Sequence, residues 1–455
     1  MKLARTILLL VFLALFVLAQ SSFIRFGPST WTILNRDNMD KPFYRVGPFG
    51  WFAAAIYEAH DEYYYPTPND YNPPGFFGLI SSNAVGADFN CDGREDLLIT
   101  WSIVPHTIER QSRATFTILL NEGDGRLRYA PEMFEGSGPP LRFMAYRTAV
   151  ADFNGDGLPD IAAGCSGMVK RNPDGTYTMV LEPILLVQST PEGKLRDASA
   201  DIEGQETGGL PAGLTGSSHD LSAGDVNGDG EPDIYTGKLL FLNNGAGKFL
   251  NATDRLPEEL RPDSTFIMTS SIGDLDGDGI GDIVAAYADG APSNRSGYIM
   301  LSDGNTSLEN RRLIELAPGR YGAGVTKFNY CIIMDVDQDG LNDIVFHVTR
   351  ANPYYQGRTL QVLMNRGNGQ FVDETGVRVV APANLDTALG EATLYVVDVD
   401  RNGIKDLVLS AIGPWLEREL HGITVYLNTG GMLRAMEHSV LSGAFPLLRA
   451  LPGRV

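Results

Sequence analysis

One nine-residue pattern recurs six times in this chain, and it narrows the possible folds more than any other feature. It first reads Asp88-Phe89-Asn90-Cys91-Asp92-Gly93, followed by Asp96. It returns as Asp152, Asn154, Asp156, Gly157 and Asp160, and then as Asp225, Asn227, Asp229, Gly230 and Asp233. The fourth copy is Asp274, Asp276, Asp278, Gly279 and Asp282; the fifth is Asp335, Asp337, Asp339, Gly340 and Asp343. The sixth is Asp398, Asp400, Asn402, Gly403 and Asp406. Starts lie 64, 73, 49, 61 and 63 residues apart. Self-similarity at such spacing marks a repeated supersecondary unit rather than scattered acid.

The flanks define the unit. Apolar, β-branched runs precede the pattern, as in Ile332-Ile333-Met334, and follow it, as in Ile344-Val345-Phe346. The acidic loop therefore joins two strands. A second element follows, such as Phe241-Leu242-Asn243-Asn244-Gly245-Ala246-Gly247-Lys248-Phe249: a strand, an Asn/Gly turn and a strand. That is a hairpin signature. Each unit thus has about four strands, the make-up of a propeller blade. The expected fold is all-β, a β-propeller of four-stranded blades with Asp-rich loops between strands. Six loops imply six blades. The stretch 31–44 reads as a further, degenerate hairpin without an acidic loop, so seven blades are expected, with six as the alternative. Pairing the terminal strands would hide the sheet edges.

The spacing also carries chemistry. Oxygen side chains at positions 1, 3 and 5 converge when the chain curls, and glycine at position 6 permits the turn. The carbonyl at position 7 and the carboxylate at position 9 complete an oxygen shell. Hard ligands in a flexible loop suit Ca²⁺, and up to six ions are expected. The candidate ligands are the Asp and Asn residues of the six copies. An EF-hand is excluded, because it needs a bidentate Glu at position 12 and flanking helices. Position 12 here is Ile99, Ala163, Thr236, Ala285, Phe346 and Leu409.

With these loops and hairpins, the chain resembles the FG-GAP/VCBS repeat family, whose propellers occur in integrin α-subunit heads and in many secreted bacterial proteins. The resemblance runs from about Val85 to Phe371, and more weakly to Leu427. It implies calcium between the first two strands of a blade, and usually seven blades. The Phe-Gly and Gly-Ala-Pro parts of the family pattern are poorly kept, and Asn402 replaces the fifth-position Asp, which weakens the last site.

Composition bears on location and partners. Lys2 and Arg5 precede an apolar run over 6–19, which reads as a secretory signal cleaved after Ala19; an uncleaved membrane anchor is the alternative. The remainder divides into an N-terminal segment over 20–80 and the propeller over 81–455. The expected location is secreted or cell-surface. Net charge is −20, so nucleic acid and anionic membrane are unsuited partners. Three cysteines allow at most one disulfide, and Cys165 and Cys331 lie in apolar runs that read as buried strands.

Beyond the loops, 57–77 is unusually aromatic and acidic. Tyr63, Tyr64, Tyr65 and Tyr71 are candidates for stacking on a sugar, with a packed cap as the plainer explanation. Glu58, His60, Asp61 and Glu62 crowd one loop and lack the spread that a catalytic constellation needs. No Gly-x-Ser-x-Gly elbow is present. The stretch 197–219 reads as a long surface loop. The expectation is a non-catalytic binding or adhesion module for a glycan or an extracellular protein. Alternatives are a carbohydrate-active lyase or hydrolase on a propeller scaffold, or a structural surface component.

Overall fold

The computed structural model describes residues 78–436 apart from several loop segments, chiefly 105–115, 204–219, 262–266, 289–294 and 412–422. Within them lie six blade sheets, five with four strands and one with five, and a separate two-stranded hairpin of Met168–Arg171 and Tyr177–Val180. Blade 1 comprises Gly78–Ala87, Asp96–Val104, Phe116–Gly123 and Arg126–Tyr129. Blade 2 comprises Ala145–Ala151, Asp160–Cys165, Leu185–Ser189 and Leu195–Asp197. Blade 3 comprises Ser222–Gly224, Asp233–Tyr235, Leu240–Asn243 and Phe249–Asn251. Blade 4 comprises Ile267–Gly273, Asp282–Tyr287, Gly297–Leu301 and Arg312–Glu315. Blade 5 comprises Thr326–Met334, Asp343–Arg350, Gln356–Asn365 and Phe371–Asp373. Blade 6 comprises Ala392–Val397, Asp406–Ala411, Ile423–Asn428 and Leu433–Ala435, and Val379–Val380 adds a parallel fifth strand at its outer edge.

The chain is therefore an all-β, six-bladed propeller over the described residues. The hairpin expected at 31–44, on which a count of seven depended, lies outside them, as do the signal segment 1–19 and the aromatic residues Tyr63, Tyr64, Tyr65 and Tyr71. In the stretch 197–219 only the first seven residues and none of the glycine-rich part are described. Among the described residues no helix is long and apolar enough to cross a membrane.

Packing explains why the strands read as apolar runs. Each sheet of blades 2 to 5 is covered on both faces by its neighbours, so both sides of a strand are buried. The second strand of blade 2, Asp160–Cys165, is buried at every position, and so is Asp282–Tyr287 in blade 4. Separate apolar clusters fill the interfaces between successive blades. Leu98 and Ile161 meet between blades 1 and 2, Phe153 and Phe249 between 2 and 3, and Tyr235 and Ile283 between 3 and 4. Phe328 and Phe346 lie in the cluster between blades 4 and 5 as an edge-to-face pair with centroids 4.9 Å apart. Cys165 and Cys331 are buried in these clusters as free thiols, as their apolar surroundings led one to expect, while Cys91 is exposed.

In every blade the acidic loop joins the first strand to the second, and a turn, rich in Asn and Gly in most blades, joins the third to the fourth. Antiparallel pairing returns both turns to the same face of the ring. The first strands of successive blades lie side by side around the axis.

Candidate metal loops

The six loops share one backbone. The position-6 glycines (Gly93, Gly157, Gly230, Gly279, Gly340 and Gly403) all have φ between 81° and 91°. That is the left-handed region that a side chain at this point would strain. The turn is fastened from inside. Each position-6 N–H donates to Oδ2 of the position-1 aspartate, at 2.8 Å for Gly93 to Asp88 and 3.0 Å for Gly279 to Asp274. Each position-7 N–H donates to the position-5 side chain, at 2.8 Å for Leu158 to Asp156 and 2.7 Å for Ile404 to Asn402. These are Asx-type turns, in which a short polar side chain holds its own backbone.

Position 9 does something that the sequence pattern did not disclose. Its carboxylate is buried in all six loops. One oxygen accepts the N–H of position 2, as in Phe89 to Asp96 at 2.9 Å and Leu275 to Asp282 at 2.7 Å. The other accepts the N–H at the end of the third strand, as in Asn121 to Asp96 at 2.7 Å and Asn365 to Asp343 at 2.7 Å. The same two bonds form at Asp160, Asp233 and Asp406. Position 9 thus staples the loop to the neighbouring hairpin, and at Asp160 the Asn154 N–H and the Ser189 hydroxyl add a second bond to each oxygen.

The hairpin asparagine ties one blade to the last. Asn243 Nδ2 donates to the carbonyl of Phe153 at 2.8 Å, Asn365 to that of Leu275 at 2.6 Å, and Asn428 to that of Val336 at 2.8 Å. Each acceptor is the position-2 carbonyl of the preceding loop. Blade 4 carries Ser302 where the asparagine would stand, and there Arg311 Nη2 reaches the Val226 carbonyl at 2.6 Å instead. The recurrent Asn was visible in the hairpin repeat. Its partner one blade away was not.

Position 3 divides the loops. In loops 1 to 3 it is asparagine, whose amide donates to Oδ2 of position 5: Asn90 to Asp92 at 3.0 Å, Asn154 to Asp156 at 3.1 Å, and Asn227 to Asp229 at 2.9 Å. In loops 4 to 6 it is aspartate. Three carboxylates then crowd together: Asp274, Asp276 and Asp282; Asp335, Asp337 and Asp339; Asp398, Asp400 and Asp406, each triad with oxygens within 4.8 Å of one another. Such a donor set is all oxygen and suits a hard divalent cation. In the fifth loop Arg378 Nη2 also reaches Asp337 Oδ2 at 3.0 Å.

Crowding and burial raise the proton affinity of these acids. Burial first, then the charges of Asp276 and Asp278, push Asp282 up to about 7, against two backbone N–H donors. Burial, with Asp337 and Asp339, pushes Asp343 up to about 6. Asp233 rises to about 7, again chiefly by burial. A cation in the loop relieves that cost by neutralising the charge where it lies.

With this geometry in view, the comparisons with known proteins fall into place. A family model described as an FG-GAP-like repeat matches residues 88–163 and 335–409. Each match runs from position 1 of one acidic loop to position 12 of the next. Human integrin alpha-IIb is 26% identical over 284 residues, covering 62% of this chain and 21% of its own length. Integrin alpha pat-2 of Caenorhabditis briggsae is 26% identical over 276 residues, covering 60% of this chain and 18% of its own. The chain thus spans about a fifth of the length of these relatives. Among solved structures, an Agrocybe aegerita lectin that recognises non-reducing terminal N-acetylglucosamine aligns with a TM-score of 0.45 at 15% identity, over 82% of this chain and 84% of that one. A Bacillus licheniformis rhamnogalacturonan lyase aligns with a TM-score of 0.34 at 13% identity, over 80% and 74%. Both superpositions are too loose to bear on fold or ligand. Repeat match, sequence relatives and blade architecture agree: the chain is a β-propeller of FG-GAP-like repeats, distantly homologous to integrin alpha chains.

Proposed function

We propose that this protein is an exported, calcium-binding propeller that serves as a non-catalytic binding module for a glycan or an extracellular protein. The observation that carries the calcium part is the set of acid triads in loops 4 to 6. Three carboxylates within 4.8 Å repel one another unless a cation lies between them. Calcium is structural in this reading. It holds loops on one face of the ring and adds stability because it binds only the folded state. Loops 1 to 3 offer the same positions, but their position-3 amide is bonded to a position-5 oxygen, and they fill more weakly.

The binding-module part is supported by what the blades are built for. Their polar groups are committed to holding turns and neighbouring blades together. Among the described residues the histidine, His347, is fully buried, and burial lowers its pKa to about 3, so it stays neutral and out of reach of a substrate. Export is supported by the 1–19 segment and by kinship with integrin alpha chains.

The test is a calorimetric calcium titration of the purified mature protein beside thermal melts with and without chelator. About three tight ions per chain and a lower melting temperature in chelator are expected. No bound calcium and an unchanged melt would reduce the loops to hydrogen-bonded turns and remove the proposal. N-terminal sequencing of the mature protein tests export.

A further inference from the structure

Three Asn-x-Ser/Thr triplets occur in the chain: Asn251-Ala252-Thr253, Asn294-Arg295-Ser296 and Asn305-Thr306-Ser307. In an exported protein such a triplet accepts an oligosaccharide on the asparagine amide, and the folded chain has to leave that amide at the surface. Asn294 lies outside the described residues. The structure separates the other two. Asn251 is half-buried at the end of the fourth strand of blade 3, and its Oδ1 accepts the Thr253 N–H at 2.9 Å. The Thr253 hydroxyl accepts the Leu240 N–H at 3.0 Å, so this triplet is built into its blade.

Asn305 lies in the turn between the third and fourth strands of blade 4, on the face that carries the acidic loops, and it is exposed together with Thr306. Its Oδ1 accepts the Ser307 N–H at 2.9 Å, an Asx turn that commits the oxygen to the triplet's own backbone. No described residue bonds to Nδ2, the atom that would carry a sugar. Backbone groups on either side fix the turn. The Asp303 N–H donates to Asp276 Oδ2 at 2.9 Å, and the Asn305 carbonyl accepts from Arg311 Nη2 at 2.7 Å. A substituent on Nδ2 therefore displaces none of the bonds that hold the turn.

We propose that Asn305 is an N-glycosylation site, loaded by an oligosaccharyltransferase from a lipid-pyrophosphate-linked oligosaccharide as the chain is exported. Nδ2 attacks the anomeric carbon of the sugar. The C–N bond forms, the anomeric C–O bond breaks, the lipid pyrophosphate departs, and an amide proton passes to a base of the transferase. Ser307 supplies the hydroxyl by which the triplet is recognised. Asp303, two residues before the asparagine, adds a carboxylate handle on the extended chain; Phe249 and Pro292 stand at that place in the other triplets. In the folded blade Asp303 is bonded to Arg312 at 2.8 Å and the Ser307 hydroxyl to Glu309, so transfer precedes the closing of blade 4. The glycan then stands beside loop 4 on the acidic face. This inference rests on the export part of the proposed function and is independent of its calcium part.

The experiment takes the protein from its native source and reads its mature N-terminus by sequencing. Trypsin cuts after Arg295 and Arg311, so residues 296–311 emerge as one peptide in which Asn305 is the only triplet asparagine. Tandem mass spectrometry of that peptide should show sugar fragments and place the added mass on Asn305. Three variants are made in the same source. Asn305→Gln and Ser307→Ala should lose the glycan completely, and Ser307→Thr, which restores the hydroxyl, should keep it. An exported chain whose 296–311 peptide is bare overturns the proposal and leaves export standing. A sugar on that peptide that survives Ser307→Ala overturns it too, because the triplet is then not what directs the transfer. A chain retained inside the cell with Met1 in place removes the export reading, and the glycan site with it.

Discussion

Blades 1 to 3 and blades 4 to 6 are built on the same loop and differ consistently at position 3, with Asn402 at position 5 as a further change in blade 6. Where position 3 is asparagine, its amide occupies a position-5 oxygen at 2.9–3.1 Å. Where it is aspartate, that donor is gone: loops 4 and 5 then hold four carboxylates, and loop 6, with Asn402 at position 5, holds three that lie close together. The staple from position 9 is common to both halves. The comparison separates two tasks that the repeat pattern runs together. Position 9 makes the same hydrogen bonds in all six loops. Position 3, in the proposed reading, sets how strongly the loop takes an ion.

The largest effect should come from breaking the shared part. Asp160→Ala and Asp282→Ala each leave two or more buried backbone N–H groups without acceptors. Each should cost about 2–5 kcal/mol. Denaturant unfolding in chelator should show similar losses for both. A large loss in Asp282→Ala alone would break the claim that position 9 is structural in both halves.

Calcium removal should come next, and it should be asymmetric. Hydrogen exchange in chelator should weaken protection over 274–282, 335–343 and 398–406 by about 2–3 kcal/mol in opening free energy, the scale expected for losing a ligand held near a hundredfold above its Kd. Protection over 88–96, 152–160 and 225–233 should change less. Uniform loss around the ring would erase the distinction drawn from position 3.

A swap sharpens it further. Asp276→Asn should raise stability in chelator by about 0.5–1 kcal/mol, by removing one like charge from a partly exposed cluster, and should weaken one calcium site in calorimetry. Asn154→Asp should do the reverse. If neither moves the calcium isotherm, position 3 is not the deciding residue.

The smallest effect concerns loop 5, where Arg378 already supplies positive charge to Asp337. It is also bonded to Glu374, at 2.9 Å, and to the Gly431 carbonyl, at 3.1 Å. Arg378→Ala should cost about 0.5–1 kcal/mol in saturating calcium. It should deepen the calcium dependence of 335–343 in exchange, because the competing cation is gone. Unchanged dependence would mean that the arginine does not compete with the ion.

Much of this molecule was legible in order along the chain. The loop between two apolar runs and the hairpin that follows gave four strands per blade, and the blades match that reading. Cys165 and Cys331 sit in buried strands as their neighbours implied. Other features were hidden for want of distance information. The second role of Asp96 and its five counterparts, as hydrogen-bond acceptors, was out of sight because their backbone partners at the end of the third strand lie 10 to 29 residues away at spacings that differ from blade to blade. Arg311 gave no sign of standing in for a hairpin asparagine. Its acceptor, Val226, belongs to the loop before, 85 residues back.

By itself the sequence determined the repeat, the oxygen-rich loops and the period-by-period alternation of turn and strand. All three are local: a glycine that takes positive φ, short acidic side chains at alternate positions, and β-branched runs between them. Only the tertiary structure decided that position 9 is a staple, that asparagines bridge blades, and that Arg147 lies beside Asp220 and against Tyr330 on the axis. Those pairings span 73 and 183 residues and come together because the first strands of successive blades lie side by side. The spacing of the residues along the chain carries no trace of that arrangement.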